Sequence, residues 1–211
     1  MKKAYIIFSL ISISLATTIN VPNDYPTITL AVSYAENGDT VLVADGVYTE
    51  SEISWSGKTI ILKSENGPQN CILISEQRPI FMFSSWDNSS GNNVLDGLQM
   101  TTTGSGNTYG DGSSIALQCA VNLQIKNCQF KDGNSGNNYG AIGSWNAGWS
   151  CGGGTLNISN CEFINNVGTA IWSDSQNQSA FIDSCLFINN SNNANYGTGG
   201  AIHIRGNLEV S

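Results

Sequence analysis

The sequence is poor in charged side chains and in the residues that usually bind metals. Charged residues make up only 11% of the chain, and His203 is its single histidine. The sequence has no Cys-x-x-Cys pair, so it does not predict a zinc site. Its 16 acidic residues outnumber the 8 basic ones, and a net charge of −8 would repel nucleic acid and anionic lipid. We therefore expect no nucleic-acid partner and no cofactor.

Long hydrophobic runs are also missing, except at the N-terminus. Lys2 and Lys3 precede a mostly apolar run, and Ser14-Leu15-Ala16 places small residues where a signal peptidase cleaves. Residues 1–16 are therefore predicted to be a secretory signal peptide, with a buried first strand as the alternative. Their removal would take away two lysines and no acid, and would lower the net charge from −8 to −10. No later run approaches the roughly 18 residues of a transmembrane helix, so no membrane span is expected.

The sequence does contain a motif that occurs three times. It reads Leu-x-Ile-x-Asn-Cys-x-Phe at 123–130 and 156–163, and Ala-x-Ile-x-Ser-Cys-x-Phe at 180–187. We call it the repeat motif. Its cysteines are 33 and then 24 residues apart. Recurrence at such a period predicts a solenoid, in which each turn, or coil, stacks on the next.

Alternation within the repeat motif assigns its side chains to two faces. Leu and Ile point inward in the first half, and Cys and Phe in the second, as half-buried strands require. The alternation of inward and outward side chains shifts by one residue at Asn127, Asn160 and Ser184. We therefore place a corner of the coil at each of these residues. The predicted structural ladder comprises Cys128, Cys161, Cys185, Phe130, Phe163, Phe187, Asn127 and Asn160.

A second motif has the same period. Gly-Ala-Ile at 140–142, Gly-Thr-Ala-Ile at 168–171 and Gly-Gly-Ala-Ile at 199–202 occur once per repeat, so each coil should carry at least two strands. A weaker copy of the repeat motif places Leu98 at the cysteine position and Met100 at the phenylalanine position.

The six cysteines divide into two sets. Those of the repeat motif are predicted to form a column of buried thiols. Cys71, Cys119 and Cys151 lie outside this column. A disulfide among these three remains open, because an exported chain meets an oxidising environment.

Residues 17–57 are predicted to form an N-terminal cap that contains a helix and the first strands. An apolar face of helical spacing begins at Ile28, with Asp24 or Thr27 as the candidate N-cap and Gly38 as the end. Such a helix would cover the open end of the stack, which would otherwise expose core and unpaired strand edge.

Coils are predicted from residue 58 to residue 211. Gly, Asn, Ser and Thr dominate 100–115, 131–140 and 143–154, which predicts loops there, and a local function would belong in these loops. The last residues end within a repeat, so we expect the chain to be a fragment of a longer protein.

Two parts of the chain resemble known β-helix families. Residues 21–64, with Val-Pro-x-Asp-Tyr-Pro-Thr-Ile, Gly-Asp-Thr-Val-Leu-Val and Gly-Val-Tyr-Thr-Glu, resemble the start of pectin-lyase-like right-handed parallel β-helix proteins. Gly-Gly-Ala-Ile at 199–202 and Phe-Ile-Asn-Asn at 163–166 and 187–190 resemble repeats of chlamydial polymorphic outer membrane proteins. The resemblance implies an all-β fold, a right-handed parallel β-helix with a short N-terminal capping helix, secreted or displayed at the outer membrane. It implies little about activity, because this fold hosts lyases, hydrolases, esterases and adhesins.

Catalysis is the weaker of two functional hypotheses. A polysaccharide lyase or hydrolase of this superfamily would need clustered carboxylates and a basic residue. One outward column is predicted at Asp96, Lys126, Ser159 and Asp183, and it offers no adjacent carboxylates. His203 is expected to be an ordinary outward strand residue. We assign no catalytic or metal-binding residue, and an enzyme would need an active site beyond residue 211.

Glycan binding is the stronger hypothesis, because aromatic residues recur beside the strands. Flat rings next to amide donors suit sugar rings, although the tyrosines would also serve simply to cover loop backbone. We expect a secreted or surface β-helix, adhesin-like or passenger-like, that binds polysaccharide or host-surface glycan at its loop edge; a stiff structural spacer is the third possibility. The glycan-binding candidates are Tyr109, Tyr139, Tyr196, Trp145, Trp149 and Trp172.

Overall fold

The computed structural model describes residues 15–55, 57–76, 79–84, 93–103, 114–118, 121–145, 153–192 and 199–211, with only the backbone at 135–139 and 145. These residues form nineteen strands and one short helix. The elements are β1 (Thr18–Val21), α1 (Ile28–Tyr34), β2 (Thr40–Val43), β3 (Gly46–Thr49), β4 (Ile61–Ser64), β5 (Cys71–Ser75), β6 (Phe81–Ser84), β7 (Asn93–Asp96), β8 (Gln99–Thr102), β9 (Ile115–Gln118), β10 (Leu123–Lys126), β11 (Gln129–Lys131), β12 (Asn134–Trp145), β13 (Gly154–Ser159), β14 (Glu162–Ile164), β15 (Val167–Ser173), β16 (Gln178–Asp183), β17 (Leu186–Ile188), β18 (Ile202–Ile204) and β19 (Asn207–Val210).

The strands form three sheets in which every pairing between these strands is parallel. Sheet A has the order β1-β2-β4-β7-β10-β13-β16-β19, sheet B the order β17-β14-β11-β8-β5-β3, and sheet C the order β18-β15-β12-β9-β6. From β4 onward the chain visits sheets A, B and C in turn, so each coil contributes one strand to each sheet. The sequence predicted at least two strands per coil, and the structure has three. Three stacked parallel sheets are consistent with a parallel β-helix.

Inward residues of the repeat motif lie in register between successive coils. Leu123 pairs with Leu156 in sheet A, and Phe130 pairs with both Met100 and Phe163 in sheet B. All five are buried. The register confirms the alignment of Met100 with the phenylalanine position. The core therefore lies between the three sheets and continues from coil to coil.

Left-handed backbone conformations turn the chain at the corners. Asn127, Asn160 and Ser184, at equivalent positions of the repeat motif, have φ of 55°, 51° and 52°. Asparagine tolerates this region better than most residues, because its short polar side chain can bond locally. A second set of corners, not predicted from the sequence, has φ of 55°, 55° and 52° at Asp132, Asn165 and Asn189.

Helix α1 packs against the first strands of sheet A. Its residues Ile28, Ala31 and Val32 are buried, and the helix contacts β1 and β2. Thr27 is the N-cap and accepts a hydrogen bond from the Leu30 N–H at 3.2 Å. Ala35, three residues before Gly38, is the C-cap. Because β1 and β2 share sheet A with the later strands, the predicted cap continues directly into the coils.

The region predicted as a loop at 131–140 is mostly strand, so that prediction was wrong. Strand β12 begins at Asn134, which pairs with Val167 of β15, and the pairing shifts register before Tyr139 meets Thr169. A parallel ladder forms through backbone groups, so a polar, glycine-rich segment can join it when a neighbouring strand supplies the partners. Among the described residues, no helix has the length and apolar character needed to cross a membrane.

Candidate functional site

Two contacting pairs of side chains lie two residues apart along neighbouring strands of sheet C. Trp172 of β15 pairs in register with His203 of β18, while the flanking Ile171 and Ser173 are buried. Alternation along a strand therefore turns Trp172 and His203 outward. Two residues further on, the same alternation turns Asp174 and Arg205 outward. We call Trp172, Asp174, His203 and Arg205 the sheet C cluster.

The sheet C cluster contains one ring stack and one ion pair. The Trp172 and His203 rings are stacked, with centroids 5.9 Å apart and planes inclined by 17°. Arg205 Nη1 donates to Asp174 Oδ1 at 2.6 Å. The Arg205 and Asp174 side chains are 51% and 39% exposed, whereas Trp172 is 9% exposed. The polar half of the cluster therefore faces solvent, and the indole lies beneath the imidazole.

Backbone contacts hold Arg205 beside Asp174. The Arg205 N–H donates to the Ser173 carbonyl at 3.0 Å, which extends the ladder of sheet C by one residue past β18. Gly206 follows, and its backbone passes so close to the Gln178 carbonyl that a Cβ there would clash with it. The position requires glycine, because any Cβ would overlap the Gln178 carbonyl oxygen.

The cluster offers donors, an acceptor and aromatic surface within two coils. A guanidinium carries five N–H donors in a planar fork, and the ion pair uses only part of them. An exposed ion pair contributes little to stability, so a ligand can replace one partner at low cost. The part-exposed imidazole adds an aromatic ring that also has polar nitrogens. This arrangement can bind a small polar molecule that has an apolar face.

The other glycan-binding candidates are described only in part. Tyr139 and Trp145 lie in β12, where Tyr139 pairs with Thr169 and Trp145 pairs with Gln118. Tyr109, Trp149 and Tyr196 lie outside the described residues. Trp172 is the one candidate whose side chain is described, and its contact with His203 was not foreseen.

A signal for that contact was present in the sequence. Alignment of Gly-Thr-Ala-Ile at 168–171 with Gly-Gly-Ala-Ile at 199–202 puts Trp172 opposite His203 and Asp174 opposite Arg205. The motif by itself predicts only the period of the repeat, and the contact becomes apparent once the alignment is continued past Ile171 and Ile202.

The outward column on sheet A is a separate charged surface. Asp96 pairs in register with Lys126, and Lys126 Nζ lies 3.5 Å from Asp96 Oδ2. Asn127 Nδ2 also donates to Asp96, at 2.8 Å. Ser159 and Asp183 continue the column. Among the described residues, no group of three or more His, Cys, Asp or Glu side chains is placed to hold a metal ion.

The cysteines of the repeat motif form a column inside the stack. Cys128 and Cys161 are buried and Cys185 is partly buried, and all three are free thiols. Each Sγ donates to the carbonyl two residues before it, at 3.2 to 3.3 Å. The hydrogen bond with Cys128 raises the pKa of the Cys161 thiol to about 12. Cys161 is therefore a neutral, poorly nucleophilic thiol.

The remaining cysteines do not extend this column. Cys71 is a buried free thiol, and burial raises its pKa to about 12. Cys119 and Cys151 lie outside the described residues, so a disulfide between these two stays a prediction, whereas Cys71 is not bridged.

A second aromatic surface lies at the N-terminal end. The rings of Tyr25 and Tyr34 are stacked, with centroids 4.9 Å apart, and Tyr34 is 64% exposed. A shallow cleft beside them is lined by Tyr34, Ala35, Glu36, Asn37 and Lys58. Lys58 Nζ donates to the Ser33 carbonyl at 2.7 Å, so the ammonium group of this lysine is hydrogen-bonded to the last turn of α1.

Comparison with protein-family models, with curated proteins and with solved structures finds no match to this chain. The fold class is therefore supported by the order and parallel pairing of the strands, and the surface residues are the evidence for function.

Proposed function

We propose that the chain is part of an exported, secreted or surface-displayed right-handed parallel β-helix that binds glycans through the sheet C cluster. The N-terminal segment, the acidic composition and the repeated motifs favour an extracellular role of adhesin or passenger type. Three parallel sheets that the chain visits in a fixed order support the β-helix. An acidic, weakly charged surface suits a neutral polysaccharide better than a polyanion.

The cluster geometry is the observation that carries glycan binding. A sugar ring presents an apolar C–H face and a rim of hydroxyls. The His203 ring, stacked on the buried Trp172, supplies the aromatic surface, and the ion pair two residues along each strand supplies donors and an acceptor for the hydroxyls. His203 is partly exposed and the ion pair faces solvent, whereas Trp172 is 9% exposed and supports the imidazole from within the stack.

Strand register links the cluster to two of the sequence-predicted aromatics. The Asp174 N–H donates to the Ser144 carbonyl at 3.0 Å, which places β12 next to the cluster. Trp145 follows Ser144 just as Asp174 follows Ser173, so Trp145 occupies the register position beside Asp174, on the side opposite Arg205. A binding surface extended along sheet C would therefore include β12, with Tyr139 in the same strand.

The test is retention on a glycan array. We expect the wild-type chain to retain at least one glycan, and His203→Ala and Arg205→Ala to lose about tenfold in affinity, about 1.4 kcal/mol. Two matched controls should bind normally: Lys63→Ala removes an exposed positive charge from sheet A, and Tyr34→Ala removes an exposed ring from the other end.

Each pattern of failure has a distinct meaning. Equal retention by the cluster variants and the controls would remove the site. If the triple replacement of Tyr109, Tyr139 and Tyr196 by Ala abolished retention while the cluster variants bound normally, the loop edge would be the site instead. Absence of any retained glycan would remove the proposed function and favour the spacer hypothesis.

A further inference from the structure

The hydrogen-bonded part of the N-terminal cap begins at Thr17. Leu15 is 78% exposed, and Ala16 is exposed as well. The Thr17 carbonyl accepts from the Thr40 N–H at 2.9 Å, and Thr18 then pairs in register with Thr40 at the start of sheet A. The boundary between exposed and paired residues therefore falls at the bond between Ala16 and Thr17, where the sequence predicts cleavage of the signal peptide.

Asp39 binds the backbone nitrogen of Thr17 at this boundary. Asp39 Oδ1 accepts from the Thr17 N–H at 2.7 Å and from the Thr17 hydroxyl at 2.9 Å. Asp39 Oδ2 accepts from the Glu36 N–H at 2.8 Å. The residue is only 4% exposed. Its carboxylate therefore connects the start of β1 to the segment between α1 and β2.

Asp39 has no cationic partner within the described part of the chain. Neither of the ion pairs there involves its carboxylate. Two other charged side chains, Glu36 and Lys58, line the cleft beside α1, and Lys58 Nζ donates to the Ser33 carbonyl. A buried charge without a counter-charge is costly, so a cation at the Thr17 nitrogen would be favourable.

Cleavage of the bond between Ala16 and Thr17 would produce this cation. One water adds across the bond, so that Ala16 leaves with the signal peptide as a carboxylate and the Thr17 nitrogen takes up the released proton. We propose that the new α-ammonium of Thr17 forms an ion pair with Asp39, so that removal of the signal peptide stabilises the N-terminal cap. The two atoms are already 2.7 Å apart, which is within the range of bonds between ammonium and carboxylate. The inference depends on the export part of the proposed function and not on glycan binding.

The test follows the stability of the mature chain across the titration of its α-amine. The full chain is expressed with its signal peptide in a secreting host, and the intact mass of the secreted product should place the N-terminus at Thr17. An α-amine has a pKa of about 8 in an unfolded chain, and the Asp39 carboxylate should raise this pKa in the folded one. The ion pair therefore contributes stability below about pH 8, and this contribution is lost as the pH rises through the raised pKa.

Acetylation of the α-amine provides the matched comparison, because it removes the charge and keeps an N–H donor at Thr17. At pH 7 the unmodified mature chain should melt about 2–4 °C above its acetylated form, and the difference should disappear above about pH 10. Asp39→Asn should also abolish the alkaline loss of stability. Glu36→Gln and Asp45→Asn each remove an exposed carboxylate from the cap and should leave that loss unchanged.

The possible failures are distinguishable. A product that keeps its signal peptide, or whose N-terminus is not Thr17, would overturn cleavage at this bond and with it the present inference. A mature chain that begins at Thr17 but melts like its acetylated form at every pH would overturn the ion pair alone. Export and glycan binding would then be unaffected, and the glycan array tests the latter independently.

Discussion

The rings of Phe130 and Phe163 lie parallel, with their centroids 4.7 Å apart and their planes inclined by only 2°. Phe163 and Phe187 repeat the arrangement at 4.9 Å and 5°. These separations match the spacing of about 4.8 Å between strands. Each ring is therefore stacked directly on the next by the coil repeat, and the middle ring has an aromatic neighbour on both sides.

Phe163→Ala should be among the most destabilising single changes in the core. It removes a fully buried ring and both stacking contacts, which predicts a loss of about 3–5 kcal/mol in the free energy of unfolding. Phe187→Ala should cost less, because Phe187 is partly exposed and stacks on one side. Phe181→Ala, at a 42% exposed outward position, is the control. Urea denaturation measures all three, and equal losses at Phe163 and Phe181 would contradict the stacked core.

Asn166→Ala should destabilise the chain through lost hydrogen bonds. The Gly133 N–H and the Phe130 carbonyl would lose their side-chain partner inside the stack, at about 1–3 kcal/mol for each buried group. Asn157→Ala, an exposed outward position on β13, should change stability by less than about 0.5 kcal/mol. Similar effects of the two substitutions on thermal unfolding would show that the Asn166 side chain does not hold neighbouring coils together.

Asn160 should accept glycine better than alanine. Its φ of 51° places a Cβ close to the carbonyl that follows, and an alanine there would cost about 1–2 kcal/mol. Asn160→Gly relieves this strain and adds freedom to the unfolded chain, so the net change should be small. The comparison needs both variants in the same denaturation series. A more stable alanine variant would be incompatible with a left-handed corner.

Asp39 should make the N-terminal end sensitive to acid. Its carboxylate accepts from the Glu36 N–H at 2.8 Å and from the Thr17 N–H at 2.7 Å, and these bonds lower the pKa of Asp39 below its ordinary 3.8. A lowered pKa stabilises the fold above pH 3.8, and this contribution is lost as the pH falls through the lowered value. Asp39→Asn should therefore unfold at a lower temperature than wild type at neutral pH.

The pH dependence supplies the check on that prediction. The difference in melting temperature between wild type and Asp39→Asn should shrink as the pH falls below about 4, because the wild-type carboxyl then becomes neutral. A difference that stayed constant down to the lowest pH measured would mean that the charge on Asp39 makes no contribution.

Much of the stacking could be predicted from the sequence, because identical residues recur at one position of the repeat motif. The shift in side-chain alternation at Asn127 and Asn160 predicted corners at the positions where the structure has positive φ. The second corner, at Asp132 and Asn165, was missed since no change of apolar phase accompanies it. The first part of β12, residues 134–139, was missed for a different reason: its pairing depends on the backbone of β15, and polar residues give no alternation to detect.

The candidate site was less predictable than the fold. Trp172 was singled out for its ring, but its stacking on His203 depends on the register between β15 and β18. The bond between Asp174 and Arg205 joins residues 31 positions apart, and neither residue carries a motif of its own. Surface contacts between coils follow from register, so they could be derived only after the second motif had been aligned.

The most direct measurement of the central claim uses the single histidine of the chain. With isotope-labelled histidine, the protein gives one set of imidazole NMR signals, all from His203, which can be followed while the glycan best retained on the array is added. Glycan binding at the sheet C cluster predicts that these signals shift and saturate with the same dissociation constant as retention. Saturating glycan that leaves the His203 signals unmoved would contradict the account.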